Sequence, residues 1–202
     1  PISAGGGAKR DRRLMQVEAT AIEGVKLIVP RRFGDDRGWF SETWNAAAME
    51  AAGLSVDFVQ DNHSLSVETY TLRGLHYQAP PFAQTKLVRV ARGRILDVAV
   101  DVRPSSPTCM RWVSQELTAA GGEQLLVPRG FLHGFLTLEP MTEVIYKVDA
   151  HYDAASDGAV RFDDPDIGVE WTVPADRLVL SDKDRAAPRF ADWTNPFTEA
   201  AT

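Results

Sequence analysis

A single cysteine in 202 residues, Cys109, excludes an intrachain disulfide and suits a reducing compartment, the cytoplasm. It lies in Pro107-Thr108-Cys109-Met110 with no histidine nearby in sequence. It therefore reads as an inert, semi-buried thiol, since a nucleophilic cysteine needs a neighbour that favours the thiolate. No apolar run approaches the ~20 residues of a membrane-crossing helix. Excess positive charge is also lacking. Lys and Arg number 22 against 28 Asp and Glu, a net charge of -6, which excludes a general nucleic-acid binder but not a local basic pocket for one phosphorylated ligand. Neither a P-loop nor a G-x-G-x-x-G turn is present, so a phosphate would have to be held some other way. Repeats, low-complexity tracts and a dividing linker are absent. Residues 1–14 carry basic side chains and Ser3-Ala4-Gly5-Gly6-Gly7 but no apolar core of a signal peptide. They are expected to be a disordered leader or cloning remnant, with Met15 the natural start and 15–202 a single domain.

What remains is rich in short strands. Hydrophobic content of 44% and charged content of 25% are ordinary for a globular protein. Pattern and breakers predict strands at Lys26–Val29, Trp39–Thr43, Val56–Ser66, Thr71–Gln78, Thr85–Ala91, Arg94–Val102, Trp112–Thr118, Gln124–Val127, Leu132–Leu138 and Glu143–Ala150. Arg92-Gly93 reads as a hairpin turn. After it, Leu96, Val98, Val100 and Val102 share one face and Asp97 and Asp101 the other, the alternation of a half-buried strand. The clear helix is Trp44–Ala52, with Asn45 as cap and Gly53 as stop. Ser181 could cap a short helix through Ser181-Asp182-Lys183-Asp184. Many short strands at this spacing predict an all-β sandwich or jelly-roll barrel with few short peripheral helices.

Strand parity selects the interior side chains. His76 shares a face with Gln78 and Leu72. Lys86 shares one with Gln84, Val88 and Val90, and Tyr146 one with Val144 and Val148. The valines mark those faces as interior. Histidine is a base near neutral pH, a lysine stabilises a developing oxyanion, and a tyrosine returns a proton. Alone, each has a plainer reading: a packed histidine, a solvated lysine, a core tyrosine. Together at inward positions they form a proton-transfer set.

Pro128-Arg129-Gly130-Phe131-Leu132-His133 fits the P-x-G-x-x-H pattern of a second cupin motif, in which a tight turn sends the histidine inward. The first motif of a metal-binding cupin would read H-x-H followed by Glu. Here Arg73-Gly74-Leu75-His76-Tyr77-Gln78 offers Gln78 instead, with no Glu at a comparable distance. Two histidines and neutral amides make a poor transition-metal site. The expectation is metal-free chemistry without a cofactor; a metal-dependent cupin oxygenase or isomerase, with His133 and His76 as ligands, is the alternative. Arg37, Arg73, Lys86 and Arg89 supply the basic pocket, because guanidinium groups grip a diphosphate bidentately. The plainer reading pairs Arg37 and Arg73 with Asp35, Asp36 or Glu42.

The chain resembles the dTDP-4-dehydrorhamnose 3,5-epimerase family of cupin-fold sugar-nucleotide epimerases over about residues 15–190. The matching pieces are Asp36-Arg37-Gly38-Trp39-Phe40 with Glu42, Gln60-Asp61-Asn62-His63-Ser64, Arg73 to Gln78, Gln84 to Val90, Asp97 to Asp101, Pro128 to Phe135, Tyr146-Lys147, Asp163-Asp164-Pro165 and Leu180 to Asp184. The resemblance implies metal-free inversion of C3 and C5 of dTDP-4-dehydro-6-deoxy-D-glucose, giving dTDP-4-dehydro-L-rhamnose. His76 matches the base, Asp184 the carboxylate that holds it, Tyr146 the acid on the opposite face, and Lys86 the residue near the enolate oxygen. Arg37 and Arg73 match diphosphate contacts. Phe40, Glu42, Gln60 and Asn62 match nucleotide-binding positions, some reaching the neighbouring subunit of a homodimer. His133, Tyr152 and Lys183 match positions near the sugar or pyrophosphate. Cys109-Met110-Arg111 departs from the family, and Asp157 stands where Glu is common. Relatives that invert one centre share most of these motifs, so a single-centre epimerase is the alternative within the class. Tyr146 favours an epimerase over the cupin ketoisomerases.

Overall fold

The computed structural model describes residues 14–197. The expected leader, apart from Leu14, lies outside the described residues. The chain opens with β1 (Met15–Ala19) and β2 (Lys26–Pro30), then the hairpin β3 (Arg32–Asp35) and β4 (Gly38–Ser41), then helix α1 (Ala46–Ala51). Eight strands follow: β5 (Gln60–Ser66), β6 (Leu72–Gln78), β7 (Lys86–Arg92), β8 (Arg94–Asp101), β9 (Trp112–Thr118), β10 (Gln124–Val127), β11 (Phe131–Thr137) and β12 (Thr142–Val148). The short β13 (Asp157–Ala159) completes them, and α2 (Asp182–Arg185) sits in an irregular C-terminal stretch.

Two antiparallel sheets result, ordered β1-β2-β10-β7-β12-β5 and β13-β6-β11-β8-β9. They face each other across a core that joins Val88, Val90 and Val144 of the first to Ile95, Ala99, Phe131 and Phe135 of the second. This is the expected all-β jelly roll of the cupin type. Alternating apolar side chains drive it, because each sheet must bury one face against the other.

The valine faces singled out above do point inward, and Tyr146 packs against that core. The half-buried reading of β8 does not hold. Ile95 and Ala99 enter the core between the sheets, while Val98, Val100 and Val102 are covered by Ile167, Phe197, Trp193 and other C-terminal residues. Asp97 and Asp101 are 0% exposed. The C-terminal stretch supplies a third layer, so β8 is buried on both sides and its aspartates need internal partners.

Helix α1 is shorter than expected because Asn45 is its cap. The Ala48 N–H donates to Asn45 Oδ1 at 3.1 Å. A six-residue helix is marginal alone; Met49 anchors this one among Met15, Ile28, Leu87 and Leu126. Strands β6 and β11 approach unusually closely at Gly74, where φ is +136° and a Cβ would stand 2.6 Å from Gly134 Cα. The β11–β6 register shifts there and brings His133 opposite His76. The predicted strands omit β1, β3 and β13: β13 has three residues, β3 runs into the Gly34–Gly38 turn, and in β1 the alternation of Met15, Val17 and Ala19 with Gln16 and Glu18 spans only five residues.

Candidate active site

A cavity of about 180 Å³ opens between the two sheets. One wall is β6, flanked by β11 and β13, and carries His76 between His133 and Ala159. The opposite wall is β7 and β12. There Lys86 pairs with Val148, and Tyr146 lies between Val88 on one side and Asn62 on the other. Gln60, Asn62, Gln84, Tyr152 and Asp157 complete the rim with Tyr77 and Gln78. A larger hollow of about 650 Å³ lies between β1 and α1. Its lining is aliphatic apart from Lys26, so the chemistry belongs to the smaller cavity.

His76 Nε2 donates to Asp184 Oδ1 at 2.5 Å. The sequence separates the pair by 108 residues; helix α2 joins them. Ser181 caps that helix by accepting from the Asp184 N–H at 3.1 Å, and its hydroxyl donates to Asp184 Oδ2 at 2.7 Å. Burial pushes the Asp184 carboxyl up, but the bonds from His76 and Ser181, with the charge of His76, hold it below the usual carboxylate range. A fixed anion against Nε2–H leaves Nδ1 as the basic nitrogen and stabilises the imidazolium once it forms.

The second histidine is built alike and sits beside the first in the same sheet, but it does not line the cavity. His133 is buried, and its Nε2 donates to Asp97 Oδ1 at 2.6 Å. The turn that delivers it has Gly130 at φ +83°, where a Cβ would meet the Arg103 side chain at 2.5 Å. The sequence signal for Asp97 is a carboxylate inside the Val-rich strand β8. Among the described residues no group of three or more His, Cys, Asp or Glu is arranged to hold a metal. Gln78, at the would-be ligand position, spends its amide on the carbonyls of Phe82 and His151 and accepts from Asp153 N–H.

Lys86 is half-buried, yet its ammonium is enclosed by protein. Loss of solvation pulls its pKa down to about 8; the charges of Asp97 and Asp157 oppose the fall and Lys183 adds to it. Burial pushes the Tyr146 phenol up, Arg73 pulls it down, and Asp157 adds to the rise. The net direction is up, so the tyrosine keeps its proton at neutral pH.

The other candidates divide. Gln60, Asn62 and Tyr152 are on the rim. Lys183 pairs with Asp157, which Tyr152 Oη also approaches at 3.4 Å. Arg73 donates to Ser66 Oγ and to the carbonyl of Leu65. Arg37, Phe40 and Glu42 are not brought to the cavity wall. Arg37 is exposed on the β3–β4 turn and pairs with Asp35 at 2.5 Å, the plainer reading above. Phe40 is exposed on the same hairpin, and Glu42 accepts from Asn45 Nδ2 at 3.1 Å.

A conserved-family model described as dTDP-4-dehydrorhamnose 3,5-epimerase matches residues 19–192. The chain belongs to the dTDP-4-dehydrorhamnose 3,5-epimerase family. It is thereby an isomerase with a cupin-type fold. It is 48% identical over 187 residues to the dTDP-4-dehydrorhamnose 3,5-epimerase of Sinorhizobium fredii, covering 93% of this chain and 94% of that one. The crystal structure of a Legionella pneumophila epimerase in complex with dTDP-4-keto-L-rhamnose superposes with a TM-score of 0.86 at 37% identity, over 91% of this chain and 97% of the other. A Streptomyces bikiniensis 3'-monoepimerase in complex with dTDP-quinovose gives 0.78 at 33% identity, over 85% and 86%. No helix among the described residues is long and apolar enough to cross a membrane.

Proposed function

We propose that this chain inverts C3 and C5 of dTDP-4-dehydro-6-deoxy-D-glucose without a metal, by proton transfer through an enolate. The observation that carries the reading is the pairing of opposite walls: His76 backed by Asp184 on one sheet, Tyr146 and Lys86 on the other. The 4-keto group acidifies the protons on both neighbouring carbons. Nδ1 of His76 removes one of them, and the C–H electron pair moves into the ring to give an enolate. The Lys86 ammonium holds the charge that develops on O4. Tyr146, kept protonated by burial, delivers its proton to the opposite face, and the C4 carbonyl re-forms. The imidazolium and phenolate then exchange protons through solvent, which resets the site.

The cavity is smaller than the roughly 300–1,000 Å³ of a drug-sized ligand pocket, so it takes the sugar while the nucleotide lies along Gln60 and Asn62 on the edge strand β5. Arg37, Phe40 and Glu42 fit this reading as groups offered to the site of a second copy. Trp39 and Phe40 on the hairpin, with Val59, Leu65 and Val67 in and beside β5, are exposed apolar side chains that a homodimer would cover. The domain from about Met15 would work in the cytoplasm, where nucleotide sugars and a reduced Cys109 are compatible.

The deciding experiment is solvent exchange. With the 4-keto sugar nucleotide in D₂O, deuterium should enter at both C3 and C5 and be located by NMR. Label at one carbon favours the single-centre reading, which the likeness to the 3'-monoepimerase supports. No label overturns the epimerase reading.

Lys86 makes a separate prediction about pH. Its ammonium is the active form, and its pKa stands at about 8 rather than in the ordinary lysine range. Proton loss as pH rises through 8 should therefore lower kcat/KM, producing an alkaline limb near pH 8 in the free enzyme. Lys86→Arg keeps its charge across that range and should lack the limb, whatever its absolute rate. A wild-type profile flat from pH 7 to 10 would show that no cation at Lys86 is needed.

A further inference from the structure

Three glutamines on three different segments hold one loop. Between β12 and β13 the chain leaves the first sheet and runs past the cavity mouth, carrying Tyr152. The β12–β5 ladder ends at Val148 and Gln60, so the backbone groups beyond it need other partners. Four successive residues find them on glutamine side chains. Gln84 Nε2 donates to the carbonyl of Ala150 at 2.9 Å, and Gln78 Nε2 to that of His151 at 3.2 Å. The N–H of Tyr152 donates to Gln60 Oε1 at 3.0 Å, and that of Asp153 to Gln78 Oε1 at 2.9 Å. The second amide hydrogen of Gln78 goes to the carbonyl of Phe82 at 2.7 Å. Gln78 is thus the centre of the clamp. It is 4% exposed, and both ends of its amide are in use.

We propose that Gln78 is a positioning residue of the epimerase site, holding the 150–153 loop so that Tyr152 stands over the bound sugar. This rests on the function proposed above. Tyr152 belongs to no hydrophobic cluster. It is 59% exposed, and its hydroxyl only approaches Asp157 at 3.4 Å. Packing does not place this ring; the backbone beneath it does. A fully bonded buried amide defines one loop position, because any other would strand its hydrogens and the carbonyls they meet. The interior position that would hold a metal ligand in other barrels here spends its side chain on the lid of the sugar site.

Gln78→Glu is the test, because it keeps shape and volume but turns an amide donor into a carboxylate facing two carbonyls. At pH 8 its kcat should fall ~10²-fold, the scale of a misplacement of about 1 Å. Binding of dTDP alone, measured by calorimetry, should match wild type, because β5 keeps its pairing with β12. As pH falls, the buried carboxyl regains a proton and one donor, so kcat relative to wild type should rise. Wild-type kcat for Gln78→Glu at pH 8 overturns the proposal, as does a loss with no recovery at low pH. If circular dichroism shows that variant unfolded, Gln84→Leu decides. It removes one bond from the same loop and should lower kcat on the order of tenfold with normal dTDP binding; unchanged kcat overturns the clamp. Deuterium entry by wild type is the control: its absence refutes the epimerase reading, whereas its presence beside unimpaired glutamine variants refutes the clamp alone.

Discussion

His76→Asn should lower epimerisation at least ~10²-fold, the ordinary effect of losing a positioned general base. Asparagine is close in size and can still donate to Asp184, so the buried carboxylate keeps a partner and the fold should survive. What disappears is the ring nitrogen that accepts the substrate proton. The measurement is deuterium incorporation from D₂O alongside binding of dTDP. Exchange should vanish at both carbons while dTDP stays bound through β5. Near-normal exchange would mean that another group is the base. Its obvious competitor, His133, is buried beside His76 with Nε2 against Asp97 and does not line the cavity.

Tyr146→Phe should separate the two half-reactions. The ring still packs against the Val88, Val90 and Val144 cluster, so the fold loses about 1 kcal/mol at most for one hydroxyl. His76 should still remove its proton, and the enolate should still form beside Lys86. With no acid on the opposite face, reprotonation comes from the His76 side and regenerates the starting sugar. The variant should therefore keep exchanging the C3 or C5 proton with solvent while making ~10²-fold less inverted product. Inversion at the wild-type rate would leave the tyrosine a packing residue and assign the proton to water or another group. The two variants predict opposite exchange behaviour, and no common loss of stability imitates that.

Much of this site is legible in the chain because strands alternate. Once Val88, Val90, Val144 and Val148 mark the interior, parity alone turns Lys86 and Tyr146 toward it, and both stand on the cavity wall. Asn45 as a cap, Gly53 as a stop and the Pro128–Gly130 turn are equally local, set by backbone chemistry within a few residues. Asp97 misleads for a physical reason. Alternation in β8 distinguishes two faces but does not say what each one meets: Asp97 and Asp101 share the face of Ile95 and Ala99, which meets the opposite sheet, while the C-terminal layer covers the valines. Arg37, Phe40 and Glu42 differ in kind: they stand away from their own chain's cavity, and the role proposed for them needs a second copy.

The sequence by itself determined the class of fold, the absence of disulfide and P-loop chemistry, the inward histidine, lysine and tyrosine, and the family. Those follow from periodicity, composition and short motifs, in which each residue is read against near neighbours. Only the tertiary structure decided that His76 answers to Asp184 across 108 residues, that His133 answers to Asp97, and that Gln60, Gln78 and Gln84 meet on one loop. Such partners depend on which strands pair and which sheet faces which. That order comes from burying whole faces at once, and no local stretch of the chain contains it.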